Sequence, residues 1–173
     1  TDSDCNSAAE PGPDYGCLFD QPYPAWFYLQ IAQAGVLNFD IIQNTAFDGD
    51  GNLIGTGLDV DFIAWGPFAE GDNLCDYNQL QSFNEIGCSF SAAPIESFTI
   101  PNGQPGEIYV VVITNYSQDA GFIQLVQTNV DTSRAGITDC SIIASSEGCE
   151  SDTITLDGTT ADATNYGWEY NDG

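Results

Sequence analysis

Twenty-six Asp and Glu residues and one basic residue, Arg134, stand in a chain of 173 residues that has no Lys, His or Met. Any compact fold of this chain must hold together against a formal charge of −25, because like charges repel in the folded state. Two things offset that repulsion: bound divalent cations, or a saline medium in which the Debye length falls to about 3 Å near 1 M salt. The imbalance also excludes functions. Without His there is no Ser-His-Asp or Cys-His nucleophile and no His-based zinc site. Without Lys there is no P-loop lysine or Schiff base. Nucleic acid is an unfavourable partner, since phosphate binding works through Lys and Arg, and so are anionic lipid headgroups. The partner such a surface does attract is a hard cation, calcium above all.

The chain is nevertheless built to fold. Hydrophobic residues make up 42% and aromatics 12%, whereas disordered acidic chains are poor in both. The periodicity is that of strands. Residues 25–31 (AWFYLQI) and 35–43 (GVLNFDIIQ) are separated by a Gly-containing turn and predict a hairpin. In the second run Leu37, Phe39 and Ile41 alternate with Asn38 and Asp40. Residues 58–65 place Leu58, Val60 and Phe62 inward and Asp59 and Asp61 outward. Residues 95–100 form a shorter strand, and 107–114 (EIYVVVIT) is apolar on both faces, as in the centre of a packed sandwich. Residues 121–127 follow a polar turn and predict a second hairpin. Only 76–83 suits a helical turn. The expected fold class is all-β: a β-sandwich or jelly roll.

Two units are expected. Residues 1–143 form the sandwich module. Residues 144–173 then carry a short strand and a second one bearing Trp168. A Cys about 20 residues before a strand Trp suits the start of an immunoglobulin-like domain. The six cysteines are Cys5, Cys17, Cys75, Cys88, Cys140 and Cys149. Their even number points to disulfides in an oxidising compartment. Local spacing favours Cys75–Cys88 and Cys5–Cys17, with Cys140–Cys149 by elimination or Cys149 pairing elsewhere. Thr1, in place of Met, reads as a mature N-terminus left by signal-peptide removal. No apolar stretch approaches the roughly 20 residues that a membrane helix needs. The expected localisation is secreted or cell-surface.

The segments P-x-P-A-W-F-Y (Pro22 to Tyr28), D-V-D-F-I-x-W-G-P-F (Asp59 to Phe68) and T-N-Y-S (Thr114 to Ser117) carry a resemblance. Over residues 5–143 the chain resembles N-terminal β-sandwich modules of large secreted proteins of Bacteroidota, among them gliding-motility-type adhesins and other type IX secretion substrates. The resemblance implies modular architecture, surface attachment and adhesion, and supplies no catalytic residue. The module is also similar in pattern to pre-peptidase-C-terminal domains and CUB-like sandwiches, some of which bind calcium. The tail from Cys149 is similar to the start of an immunoglobulin- or PKD-like repeat.

Several constellations are candidates for chemistry. Asp48, Asp50 and Asn52, in the sequence DGDGN, together with Asp59 and Asp61, supply oxygens suited to calcium. The same turn reads equally as an acidic hairpin tip, since Asp, Gly and Asn favour turns on their own account. Asp59 and Asp61 share one side of a strand, where like charges call for a bridging cation. A glycosidase-like carboxylate pair has no buried acid in the sequence to mark it. Among aromatics, Trp26, Tyr28, Trp65 and Tyr109 suit burial, while Tyr77 and Tyr116 lie in loops open to ligand contact. Arg134 suits pinning the linker through a carboxylate. The leading expectation is a non-catalytic, calcium-stabilised extracellular module of a surface adhesin or filament. Its partners would be other protein domains or cell-surface and extracellular ligands, glycans included. The alternatives are an accessory domain of a secreted hydrolase, or a subunit that self-assembles by β-strand addition.

Overall fold

The structure, a computed structural model, describes residues 11–69, 71–73 and 77–138. Cys5, Cys75, Cys140, Cys149 and the expected 144–173 unit lie outside these residues. Eight strands are seen among them: β1 (Ala25–Gln33), β2 (Gly35–Asn44), β3 (Val60–Phe68), β4 (Glu85–Ser89), β5 (Ile95–Gly103), β6 (Ile108–Asn115), β7 (Phe122–Gln127) and β8 (Ile137–Thr138). The expected helical turn is a single 3-10 turn at Ser82–Asn84. The strands form a five-stranded sheet, in the order β4-β3-β6-β1-β8, and a three-stranded sheet, β5-β2-β7. All strand pairings within both sheets are antiparallel.

The chain is an all-β sandwich, as its alternation predicts. Leu37, Phe39 and Ile41 from β2 and Phe98 and Ile100 from β5 meet Val60, Phe62 and Ala64 from β3 and Val111 and Ile113 from β6 in one buried core. Phe39 stacks on Phe98 with ring centroids 5.0 Å apart, and Phe62 reaches the same ring at 5.5 Å. Each such side chain contributes about 1.5–3 kcal/mol when it leaves water.

Neither predicted hairpin forms. β1 pairs with β6 and β8, while β2 pairs with β5 and β7, so the turn between them crosses from one sheet to the other. β7 likewise leaves β6 to join β2. The physical reason lies in the faces. β1 and β6 carry apolar side chains on both sides and suit a sheet covered on both faces. β2 and β5 alternate strictly and suit a sheet with one wet face, which a hairpin partner of β1 would not have.

The second cover of the five-stranded sheet is the N-terminal segment. Leu18 and Leu80 are buried with Ile63, Trp65, Phe68, Val110 and Val112, and Tyr15, Trp26 and Tyr77 pack against them. Trp26 stacks on Trp65 at 6.2 Å, and Tyr15 meets both edge-on. A disulfide between Cys17 and Cys88, 71 residues apart in sequence, fastens this cover to β4. That pairing replaces the expected Cys5–Cys17 and Cys75–Cys88. Proximity in sequence did not decide it, because the N-terminal segment crosses the sheet face to reach β4. At Arg134 the contact seen is of the backbone, its carbonyl accepting from the Val36 N–H at 3.0 Å.

Candidate functional site

The 48–52 loop is closed on itself. A bridge between Phe47 and Leu53 brings its ends together. Asp48 Oδ1 accepts from the backbone N–H groups of Asp50 (2.9 Å) and Asn52 (2.8 Å), and the Asn52 amide donates to both carboxylate oxygens. These bonds, those from Asn52 above all, hold the Asp48 carboxyl below its ordinary range. Its lone pairs are occupied by the turn, which is the behaviour of an Asx-type loop. Asp48 and Asp50 are also absent from the anionic neighbours that act on Asp59 and Asp61. The five candidate oxygen ligands therefore divide into a loop and a separate strand pair.

Asp59 and Asp61 stand where β3 begins, on the sheet face turned away from the sandwich core. The expectation that they face away from Phe62 holds, while the expectation that this face is wet does not. Asp61 is only 4% exposed. Burial is the main reason its carboxyl is pushed up to about 6, with Asp59 and then Glu96 adding repulsion. Asp59 is raised by burial and then by Glu96.

Glu96 is the member that sequence reasoning missed. It opens β5 on the inner face, in line with Phe98 and Ile100, and is 9% exposed. The signal was present: in IESFTI the alternation puts a Glu where the inward apolar residue belongs. The Ser91 hydroxyl donates to Glu96 Oε1 at 2.7 Å. The segment carrying Ser91 runs beside β3, with Val60 N–H donating to the Ala93 carbonyl at 3.2 Å.

Five buried side-chain polar atoms have no hydrogen-bond partner among the described residues: Gln43 Oε1, Asp59 Oδ1, Asp61 Oδ1, Thr114 Oγ1 and Trp65 Nε1. The first four gather at one end of the sandwich. Thr114, wholly buried, is the direct cross-strand partner of Asp61 and shares its face. Gln43, 1% exposed, closes β2 at the same end, its carbonyl accepting from Leu58 N–H at 3.0 Å. Native proteins leave few such atoms, so four at one end is a property of that end. Among the described residues no group of three or more Asp, Glu, Cys or His side chains is arranged to hold one metal ion. Any ion here takes fewer carboxylates and more neutral oxygens.

Of the two loop tyrosines, Tyr116 is exposed and Tyr77 is partly buried against the outer aromatic cluster. Tyr116 sits in a turn held by Asn115, whose Oδ1 accepts from Ser117 Oγ and Gln118 N–H and whose Nδ2 donates to the Asp119 carbonyl. Trp65 and Tyr109 are buried, as expected.

No family model matches the sequence, and comparison with the curated proteins and with the solved structures returns no match.

Proposed function

We propose that this chain is a non-catalytic extracellular module of a modular cell-surface adhesin or filament. The observation that carries the reading is the Cys17–Cys88 disulfide lying across the outer sheet face. Such bonds persist in oxidising compartments and are rare in reducing ones. Closing a 71-residue separation locks a cover over a sheet already buried on its other side, which suits a rigid, protease-resistant head. Phe19, Phe83 and Phe90 remain largely exposed and offer apolar contacts to a partner surface.

The test is the native protein from its source, labelled on intact cells and weighed with and without reductant. The module reading expects surface labelling, a mass well above 18.5 kDa, and thiols at 17 and 88 that alkylate only after reduction. Free thiols at these positions in an intracellular protein would sink it. A second reading, self-assembly by strand addition, draws on β7, which pairs only with β2 among the described residues and leaves a sheet edge open. Sedimentation that shifts with concentration would favour it.

A further inference from the structure

We propose that the β3 end of the sandwich is a binding site for one calcium ion, held by Asp59, Asp61 and Thr114, with Glu96 as an adjacent negative charge that adds to the attraction. The inference is independent of where the protein works.

Three observations converge on it. First, Thr114 stands directly across the ladder from Asp61, and Asp59, two residues before Asp61, lies close enough to repel it. Second, an oxygen of each of these three side chains is buried and unpartnered. The Thr114 hydroxyl is the independent one. It carries no charge of its own, is wholly buried, stands across from Asp61, and has no hydrogen-bond partner among the described residues. An unpaired buried oxygen is unfavourable, and a cation relieves carboxylate and hydroxyl together. Third, the chain has almost no cationic side chains to neutralise this end. Arg134 is the sole basic residue in the chain, and its backbone is tied to Val36, near the start of β2. The unpartnered Gln43 lies near the other end of that strand. A cation from solvent is the natural counter-charge for this end.

The donor set selects the ion. All donors are hard oxygens, which excludes the nitrogen and sulfur preferences of zinc and copper. Two carboxylates, a hydroxyl, nearby backbone carbonyls and water suit calcium, whose coordination is variable in number and angle. Magnesium demands near-octahedral geometry and gives up its water reluctantly. Asp59 is only partly buried, so it provides the route by which an ion reaches Asp61. Glu96, fixed by Ser91 Oγ, lies close enough to repel both aspartates and adds to the attraction for a divalent cation.

The experiment uses the full chain, stripped with a chelator and titrated with calcium chloride by calorimetry and thermal melting. About 0.15 M sodium chloride suppresses diffuse attraction by shortening the Debye length to about 8 Å. We expect one site, a higher melting temperature on binding, and weak competition by magnesium. Asp61→Asn and Thr114→Val preserve shape, so both fold; the first removes a ligand charge and the second the hydroxyl oxygen. Asp61→Asn should weaken calcium binding by about tenfold or more, the scale of one carboxylate ligand, and Thr114→Val by less. The double variant Asp48→Asn, Asp50→Asn disturbs only the exposed 48–52 turn and should bind calcium as the wild type does. The proposal is overturned if calcium causes no shift in the wild type, if Asp61→Asn binds unchanged, or if the loop variant alone loses binding. Several weak sites indifferent to Asp61→Asn would also overturn it, since they mark only the −25 surface charge.

Discussion

The outer face of the five-stranded sheet has two ends that follow opposite rules, and both are written on β3. Toward its C-terminal half, Ile63 and Trp65 point into a closed apolar cluster beneath a disulfide-fastened cover. At its start, Asp59 and Asp61 point out of the same face into a region where acceptor oxygens outnumber donors. Burial stabilises the first end and strains the second. One strand can hold both because the backbone ladder is indifferent to side-chain chemistry. The cover and the neighbouring strands then decide what burial means at each position.

The largest effect that would test this contrast is at the aromatic end. Trp65→Ala should cost about 3–5 kcal/mol, the range for emptying a large buried aromatic site, read by guanidinium unfolding. A cost below about 1 kcal/mol, a surface-like value, would mean that the cover does not close over Trp65. Cys17→Ser with Cys88→Ser should cost about 2–4 kcal/mol, chiefly by freeing the unfolded chain. It should also make the segment around Leu18 the first site of proteolysis. Unchanged protease sensitivity would show that packing alone holds the cover.

At the acid end the sign reverses. In chelator at pH 7, Asp61→Asn should raise stability by about 1 kcal/mol or more, because it removes an unpaired buried charge. In saturating calcium the same variant should be the less stable of the two. The pH dependence follows. The Asp61 carboxyl lies at about 6 in the folded protein against an ordinary 3.8, so the folded state holds its proton more tightly. Its stabilising contribution is fully present below the ordinary value and is lost as the pH rises through about 6. Melting curves of metal-free protein from pH 4 upward should show this loss, as raised carboxyl groups do in general, and Asp61→Asn should flatten it. The smallest effect is expected at Asp48→Ala, which frees the 48–52 turn at an exposed tip. It should lower the melting temperature slightly and leave the calcium response intact.

Much of the fold was legible in the alternation of residues. LNFDI in β2 and SFTI in β5 are strictly two-sided, and IYVVVI in β6 is apolar on both faces. Those patterns state how many faces each strand buries, which is enough to assign an all-β sandwich and a central strand. They do not state which strand lies next to which, and both hairpins inferred from short turns turned out to be crossings between sheets. The patterns themselves carried the correction: a strand with two apolar faces and a strand with one belong in different sheets. For the site, the sequence singled out Asp59 and Asp61 by their shared face. It gave no reason to separate them from Asp48 and Asp50, and Glu96 and Thr114 passed as ordinary members of their strands.

By itself the sequence determined the strand content, the faces each strand can bury and the lack of internal cations, because periodicity and composition are local properties of the chain. Only the tertiary structure decided which sheet each strand joined, that Cys17 meets Cys88, and that Asp61 is buried beside Thr114. Those outcomes depend on contacts between residues tens of positions apart. Burial is fixed by what comes to lie over a residue, and no residue's own neighbours in sequence specify that.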